Sequence, residues 1–218
     1  MRFSSAQDAA NKLLEVLPKT ELEDGNFTMV CLSLDAVIIA DIMASKLNMN
    51  YDLLFSEPIL APNNPECEIA AVSETEEIVM NDALIRAFEI APEFIYGQAH
   101  RIFEEKILKN VYKYRKGKLL ENLKDKNVLL VDEGCQTGLT LMVAVKTLMT
   151  LGVKSIFYAA PVMPADILVY INSLVDSVFC ANKVVDFVDV DFYYEEKTDK
   201  NVNLEILQKS PYYLPTKK

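Results

Sequence analysis

The stretch NVLLVDEGCQTGLTL, residues 127 to 141, decides how the rest of the sequence is interpreted. Its apolar run, Val128 to Val131, is typical of a strand that is buried on both faces of a parallel sheet. Two acids, Asp132 and Glu133, end this run, and a loop with Gly and Thr follows them. From Thr140 onwards apolar residues recur at helical spacing, so the stretch predicts a strand, a loop and a helix. Both carboxylates and the loop are then expected at the sheet edge where open parallel sheets bind ligands.

The composition favours one α/β domain, spanning residues 1–218, with small-molecule or protein partners. With 218 residues, 51% of them hydrophobic, the chain is long enough for one substantial core. The formal charge of −10 argues against nucleic-acid binding, which needs a basic face. No apolar run approaches the length of a membrane span, and the N-terminal segment lacks the apolar centre of a signal peptide. The four cysteines are far apart and form no CxxC motif, which favours a reducing cytoplasm.

Strands and helices alternate along the predicted chain, with one insertion. The predicted order before the insertion is a helix at 5–17, a strand at 26–34, a helix at 36–48 and a second parallel strand at 49–56. Residues 57–66 are rich in turn formers, and residues 67–80 predict a β-hairpin outside the parallel core. This insert, which we call the hood, covers about 57–90.

A long helix is predicted after the hood, from Pro92 to Arg115, with a proline in its first turn. The opening strand, loop and helix follow it. The remaining predicted elements are a buried strand at 153–162, a helix at 164–174 and short closing strands at 176–181 and 185–190.

The loop after the two acids has the residue types of a phosphate site. Successive backbone N–H groups before a helix bind anions, and Gly134 and Gly138 let a phosphate approach the main chain. The spacing of these glycines matches neither a Walker A loop nor a GxGxxG motif. The acids fit the same site if they accept hydrogen bonds from vicinal hydroxyls of a sugar whose phosphate the loop holds. This combination predicts a 5-phosphorylated ribose.

Residues 128–141, VLLVDEGCQTGLTL, resemble the phosphoribosyl pyrophosphate (PRPP) motif of type I phosphoribosyltransferases. In that motif a hydrophobic strand precedes two acids and a Thr-Gly-x-Thr turn. The similarity is strong between residues 112 and 195 and weak before residue 50, and within the family it points to a bacterial branch of predicted phosphoribosyltransferases. The fold that the resemblance implies is a parallel core sheet flanked by helices, with a small inserted hood.

The resemblance implies transfer of ribose 5-phosphate from PRPP to a nitrogen acceptor, typically a nucleobase, with release of pyrophosphate. Asp132 and Glu133 would be the catalytic pair that holds the ribose hydroxyls, directly or through Mg²⁺. The loop residues that would hold the ribose 5-phosphate are Gly134, Cys135, Gln136, Thr137, Gly138, Leu139 and Thr140. Of these, Cys135 and Gln136 occupy variable positions, and we assign them no catalytic role. Type I relatives are frequently dimers, so the resemblance also points to a homodimer.

The pyrophosphate side departs from the family pattern. Relatives carry a loop with Arg and glycines after the first core strand, where this chain has Ser33, Leu34 and Asp35. A carboxylate at Asp35 repels pyrophosphate by about 1 kcal/mol per charge pair in water, and by about 4 kcal/mol at an intermediate dielectric, when the charges are 4 Å apart. Asp35 is also a natural N-cap for the following helix. Basic residues elsewhere would have to supply the missing charge, and the candidates are Arg101, Lys113, Arg115, Lys116 and Lys118.

Two hypotheses remain open at this stage. The first is a Mg²⁺-dependent phosphoribosyltransferase in which these basic residues contact pyrophosphate. The second is a noncatalytic protein of the same fold that binds a nucleoside monophosphate or another phosphosugar as a regulator. Phe187 and Phe192 are candidates for stacking on a base, and the single histidine, His100, is expected at the surface.

Overall fold

The architecture was obtained as a computed structural model that describes residues 2–120, 122–196 and 200–216. Its strands are β1 (Phe27–Cys31), β2 (Tyr51–Leu53), β3 (Ser56–Ala61), β4 (Asn64–Ser73), β5 (Ile78–Met80), β6 (Asn127–Val131), β7 (Ser155–Pro164) and β8 (Ser177–Val184). Its α-helices are α1 (Ala6–Val16), α2 (Lys19–Asp24), α3 (Val37–Leu47), α4 (Asp82–Ala87), α5 (Pro92–Ile102), α6 (Leu108–Arg115), α7 (Leu139–Thr150), α8 (Leu168–Asn172) and α9 (Lys200–Lys209).

In the described part of the chain, five strands form one parallel sheet in the order β2-β1-β6-β7-β8. The predicted α/β fold with a parallel core is therefore confirmed. The chain adds β2 on one side of β1 and then returns to place β6 on the other side. This reversal makes the gap between the ends of β1 and β6 a topological switch point, where open α/β sheets bind their ligands.

The apolar run of β6 is continuous because the strand is covered on both faces. Leu129 and Val131 pack into the core cluster that contains α1 and α3. Val128 and Leu130 pack into a second cluster that contains the inner face of α7. Since successive strand residues point to opposite faces, each face needs its own apolar set, which is the pattern predicted for this segment.

The hood is a separate antiparallel sheet of strand order β3-β4-β5. Its Ala71 packs against Leu139 and Val143 of α7, so the hood rests on the helix that follows the loop. The prediction of a turn-rich segment at 57–66 is wrong, because most of these residues belong to β3 and β4. Pro58 is compatible with β3 because this strand lies at the edge of the hood.

Three further sequence predictions are corrected by the structure. Residues 185–190 form no strand, and the closing strand is β8, which is longer than the predicted 176–181. The helix predicted at 164–174 is reduced to the short α8 because β7 extends to Pro164. Asp35 is not the N-cap of α3, whose N-cap is Ala36. Instead, the Ala36 N–H donates to the hydroxyl of Ser33 at 3.1 Å.

The predicted long helix from Pro92 to Arg115 is present as α5, a π-helical segment at Phe103–Ile107, and α6. None of the helices in the described ranges combines the length and apolar character needed to cross a bilayer.

The last residue of α6, Arg115, is 0% exposed and forms a buried ion pair with Glu74. Its guanidinium also lies 5.1 Å from the ring centroid of Phe55, and Glu74 accepts the Phe55 N–H at 3.0 Å. Nε and Nη1 of Arg115 have no hydrogen-bond partner among the described atoms. The arginine therefore joins the hood to the core, and Glu74 is its balancing charge.

We expect Glu74→Ala to lower the free energy of unfolding by about 3–5 kcal/mol, because it leaves a buried guanidinium without its counter-ion. Urea denaturation measures this loss. Glu205→Ala is the control, because its pair with Lys209 is exposed, and the change there should stay below about 1 kcal/mol. The double replacement Glu74→Leu with Arg115→Met should recover much of the loss. Equal effects of Glu74→Ala and Glu205→Ala would contradict the assignment.

Candidate functional site

Parallel pairing brings two polar loops together at the ends of β1 and β6. Cys31 is opposite Val131, and the Leu32 N–H donates to the Val131 carbonyl at 2.9 Å. Two residues beyond that pair, the hydroxyl of Ser33 donates to Oε2 of Glu133. The loop after the first strand and the acidic loop are thus joined by a direct hydrogen bond.

Asp132 lies at the floor of this site and is 6% exposed. Burial raises its pKa well above the ordinary value, and the neighbouring Glu133 carboxylate raises the pKa further. Asp132 Oδ1 accepts the main-chain N–H of Glu133 at 3.0 Å, which orients the Asp132 carboxyl group. A buried acid with a raised pKa beside a second carboxylate is typical of a functional site.

The loop is held from behind by the C-terminal part of the chain. Tyr194 donates its hydroxyl to the Glu133 carbonyl at 2.6 Å, and the Cys135 N–H donates to the Val162 carbonyl at 2.9 Å. A Cβ on Gly134 would lie 2.8 Å from both Cγ atoms of Val190, so only glycine allows this approach. The position of the loop therefore depends on distant segments as well as on its own residues.

The end of the loop begins α7 with Gly138, whose φ of +80° favours glycine. A Cβ at Gly138 would meet nothing within 4 Å, so the main chain is open to a ligand at this point. The hydroxyl of Thr137 accepts the Leu139 N–H at 3.4 Å and donates to Oε2 of Glu68 at 3.0 Å. The N-terminus of α7 and an adjacent hydroxyl thus face the same opening, as expected for an anion site.

A cavity of about 260 Å³, the loop cavity, brings most predicted site residues together. It is lined by Ser33, Glu66, Glu68, Asp132, Glu133, Gly134, Cys135, Gln136, Thr137, Gly138, Thr140, Leu141, Tyr158 and Val190. Leu139 is the predicted loop residue that does not line it, because its side chain is buried against the hood. Burial raises the pKa of the Cys135 thiol to about 12, which keeps this thiol protonated at neutral pH.

A second cavity of about 230 Å³, the strand-end cavity, adjoins the first. It is lined by Cys31, Leu32, Ser33, Leu34, Asp35, Leu53, Leu54, Phe55, Ser56, Glu57, Asn110 and Thr140. Because Ser33 and Thr140 line both cavities, one ligand can extend from the loop cavity into the strand-end cavity. Ser33, Leu34 and Asp35, three residues of the predicted pyrophosphate side, line the strand-end cavity, and their contact with pyrophosphate stays a prediction.

Arg115 does not line either cavity, since its side chain is buried against Glu74 and Phe55. Three of the other four basic candidates make contacts elsewhere: Lys113 lies over the ring of Tyr114, Lys118 donates to the Pro215 carbonyl at 3.5 Å, and Arg101 donates to Gln98 at 2.8 Å. Among the described residues that line the two cavities, none is Lys, Arg or His. Arg115 as a direct pyrophosphate contact is thus not supported by this arrangement.

The aromatic candidates also lie outside the loop cavity. Phe187 stacks on Tyr193 with ring centroids 5.2 Å apart, and Phe192 lies beneath the guanidinium of Arg2 at 5.2 Å. The side chain of His100 is 68% exposed and 3.6 Å from Glu104, which confirms its surface position.

Sequence reasoning missed five residues of the loop cavity: Glu66 and Glu68 from the hood, Leu141 from α7, Tyr158 from β7 and Val190 from the C-terminal segment. Only Tyr158 carried a signal, as a hydroxyl inside an otherwise apolar strand. Leu141 was predicted only as an apolar residue of the helix after the loop. Glu66, Glu68 and Val190 come from segments whose packing against the loop has no local signature.

The acidic residues of the loop cavity offer the oxygen ligands that Mg²⁺ prefers. Within the described ranges, no group of three or more His, Cys, Asp or Glu side chains is arranged to hold a metal ion. Magnesium commonly binds through one or two carboxylates together with the phosphates of a substrate. Asp132 and Glu133 fit a magnesium ion that a phosphorylated ligand helps to hold.

We expect Asp132→Asn to remove a pH dependence of stability in the ligand-free protein. The unfolded state loses the Asp132 proton near the ordinary value of 3.8, whereas the folded state keeps it to a higher pH. Over that window the folded state binds more protons, so wild-type stability falls as pH rises, by up to about 1.4 kcal/mol per pH unit.

Urea denaturation of wild type and Asp132→Asn across this pH range, with EDTA present, measures the difference. Asp8→Asn is the comparison of opposite sign. The hydrogen bond from Lys12 lowers the pKa of Asp8, so the contribution of Asp8 to stability rises with pH and the substitution removes that rise. Identical pH profiles for wild type and Asp132→Asn would refute the burial effect.

We further expect Gly134→Ala to destabilise the protein by about 1–3 kcal/mol, because the added methyl group overpacks the contact with Val190. Val190→Ala in the same chain should restore part of that loss. A double-mutant cycle from urea denaturation gives the coupling energy. Strictly additive effects of the two substitutions would show that the contact is not what excludes a side chain at position 134.

A family model described as "Phosphoribosyl transferase domain" matches residues 5–197. Two proteins from Mycobacterium tuberculosis, strains CDC 1551 / Oshkosh and ATCC 25618 / H37Rv, are named as inferred phosphoribosyl transferases, and each is 24% identical over 178 residues. These matches cover 82% of this chain, which spans 40% of the length of each relative.

The crystal structure of the protein TT1426 from Thermus thermophilus is similar in fold. Its TM-score is 0.77 at 24% identity, and the match covers 96% of this chain and 99% of that chain. The overall fold is thus shared with a crystal structure, and the family match covers the strands and loops that form both cavities. The chain belongs to the phosphoribosyl transferase domain family.

Proposed function

We propose that the protein binds PRPP and transfers its ribose 5-phosphate group to a nitrogen acceptor such as a nucleobase, releasing pyrophosphate. The observation that carries this proposal is the loop cavity, in which two adjacent carboxylates and a glycine-threonine loop line one space. In the proposed complex, Asp132 and Glu133 accept hydrogen bonds from the 2- and 3-hydroxyls of ribose. The amides of the loop, with the hydroxyls of Thr137 and Thr140, take the 5-phosphate.

The adjoining strand-end cavity is then the place for pyrophosphate. In the transfer, the bond between C1 of ribose and the pyrophosphate oxygen breaks and its electron pair leaves with pyrophosphate. A bond forms between C1 and the acceptor nitrogen, which loses a proton. Ser33 lies at the junction of the cavities and is held by Glu133, so it can orient the reacting end of the sugar. Bound Mg²⁺ would neutralise the developing negative charge on pyrophosphate.

A second candidate function is favoured by the charge of the strand-end cavity. Asp35 and Glu57 line it, and no lysine or arginine is among its described lining residues. Such a surface suits a ligand without pyrophosphate, so the alternative is a noncatalytic protein that binds a nucleoside monophosphate or another phosphosugar. Both functions need the same ribose-phosphate site and differ in what occupies the second cavity.

The shared site predicts that Asp132→Asn combined with Glu133→Gln weakens ribose 5-phosphate binding at least tenfold. Each lost hydrogen bond to a charged group contributes about 1.5–3 kcal/mol, and about 1.4 kcal/mol corresponds to a factor of ten. Isothermal titration calorimetry measures the affinity. The control is Glu23→Gln with Asp24→Asn, another adjacent acid pair, which precedes β1 and lines neither cavity.

The same instrument separates the two functions. Calorimetric binding of PRPP with Mg²⁺, together with pyrophosphate release when nucleobases are supplied, supports the transferase. Binding of AMP or GMP without PRPP binding supports the noncatalytic alternative. If the amide variant binds every phosphopentose as well as wild type does, the ribose-phosphate site is wrongly assigned.

A further inference from the structure

The hood places a carboxylate on the hydroxyl that the proposed function assigns to phosphate. Thr137 Oγ1 donates to Glu68 Oε2 at 3.0 Å, although the residues are 69 positions apart. Thr137 Oγ1 also accepts the N–H of Leu139 at 3.4 Å, so the single hydroxyl proton of Thr137 is directed to Glu68 of the hood. Glu68 also lines the loop cavity.

A bound phosphate and the Glu68 carboxylate would both accept the hydroxyl proton of Thr137. Both are anions that accept hydrogen bonds, and a threonine hydroxyl has one proton to donate. In addition, the two negative charges repel each other when both approach the loop. Occupation of the Thr137 hydroxyl by Glu68 and by a bound phosphate is therefore mutually exclusive.

The geometry of β4 allows Glu68 to leave without unfolding the hood. The inner half of the strand, from Ile69 to Ser73, is buried, and Ser73 accepts a hydrogen bond from Thr147 of α7 at 2.8 Å. The outer half, from Asn64 to Glu68, is exposed or half-buried. Pairing with β3 is irregular there, with register shifts on both sides of the Leu60–Glu68 pair. We call this irregular outer half, Asn64 to Glu68, the hood tip. It can move locally while the buried inner half of β4 stays in place.

We infer that Glu68 is a latch: its carboxylate takes the phosphate's place on Thr137, and a phosphorylated sugar binds only after the hood tip has released the loop. This inference rests on the proposed function, since it regulates the same site. Phosphate binding and closure of the hood tip on the loop then oppose each other, and Glu68 lowers the affinity of the site for phosphorylated sugars.

The test compares Glu68→Gln, Glu68→Ala and wild type in calorimetric titrations with ribose 5-phosphate and with unphosphorylated ribose. We expect both variants to bind ribose 5-phosphate about tenfold more tightly than wild type, with no change for ribose. Glu66→Gln is the matched control, because Glu66 carries the same charge on the same strand and lines the same cavity without contacting Thr137. Its effect should stay below about threefold.

Equal or weaker ribose 5-phosphate binding by both Glu68 variants overturns the latch while leaving the ribose-phosphate site intact. If neither wild type nor any variant binds ribose 5-phosphate, PRPP or a nucleoside monophosphate, the proposed function fails instead. Hydrogen exchange tests separately, in the ligand-free protein, whether Glu68 restrains the loop. Faster exchange of the amides at residues 136–140 in Glu68→Ala than in wild type supports this restraint, and unchanged exchange overturns the latch.

Discussion

The candidate site depends on the in-register pairing of β1 with β6. These strands are separated by almost a hundred residues, yet their last residues, Cys31 and Val131, pair with each other. The loops that follow the two strands therefore start next to each other at the sheet edge. Ser33 and Glu133 then meet directly. A shift of one residue in this pairing would reverse the faces of β6 and move the two loops apart. The two-sided core of β6 therefore determines the site as well as the fold, because Leu129 and Val131 need one face and Val128 and Leu130 the other.

Unfavourable interactions between carboxylates are concentrated in the loop cavity. Asp132 is buried beside Glu133, and the hood adds Glu66 and Glu68 to the cavity, without a lysine, arginine or histidine among the described lining residues. Carboxylates that are close together and partly desolvated raise the free energy of the folded state. A ligand that brings hydroxyl donors or a cation relieves this cost on binding. Such a site lowers the stability of the free protein, and ligand binding raises it again, as expected where functional groups conflict with folding.

The sequence predicted the parts of the molecule that have a local pattern. The apolar run of β6, its terminal acids and the Thr-Gly-x-Thr turn located the central loop, and periodicity located the helix between Pro92 and Arg115. It failed where long-range packing decides. Residues 57–66 look like turns because of their Pro and Asn, but residues 57–61 belong to β3 and residues 64–66 to β4, and these two strands pair. The contact of Glu68 with Thr137 depends on how the hood folds over α7, which no local pattern contains. Asp35 had a plausible capping role, but the N-cap of α3 is Ala36, whose N–H donates to the hydroxyl of Ser33.

The burial of Arg115 determines where positive charge for a pyrophosphate must come from. Moving this guanidinium into the strand-end cavity would leave Glu74 buried and unpaired, and breaking such a pair typically costs about 3–5 kcal/mol. That cost corresponds to a loss of roughly two to four orders of magnitude in affinity, so an arginine recruited from the core would gain little for the ligand. Lys106 contacts Glu57, which lines the cavity, but this pairing at 3.3 Å already engages its charge. A divalent cation that arrives with the ligand carries no such penalty within the fold. Under the proposed function we therefore expect a cation from solution to balance the charge of pyrophosphate, and the protein to contribute mainly contacts to ribose and 5-phosphate.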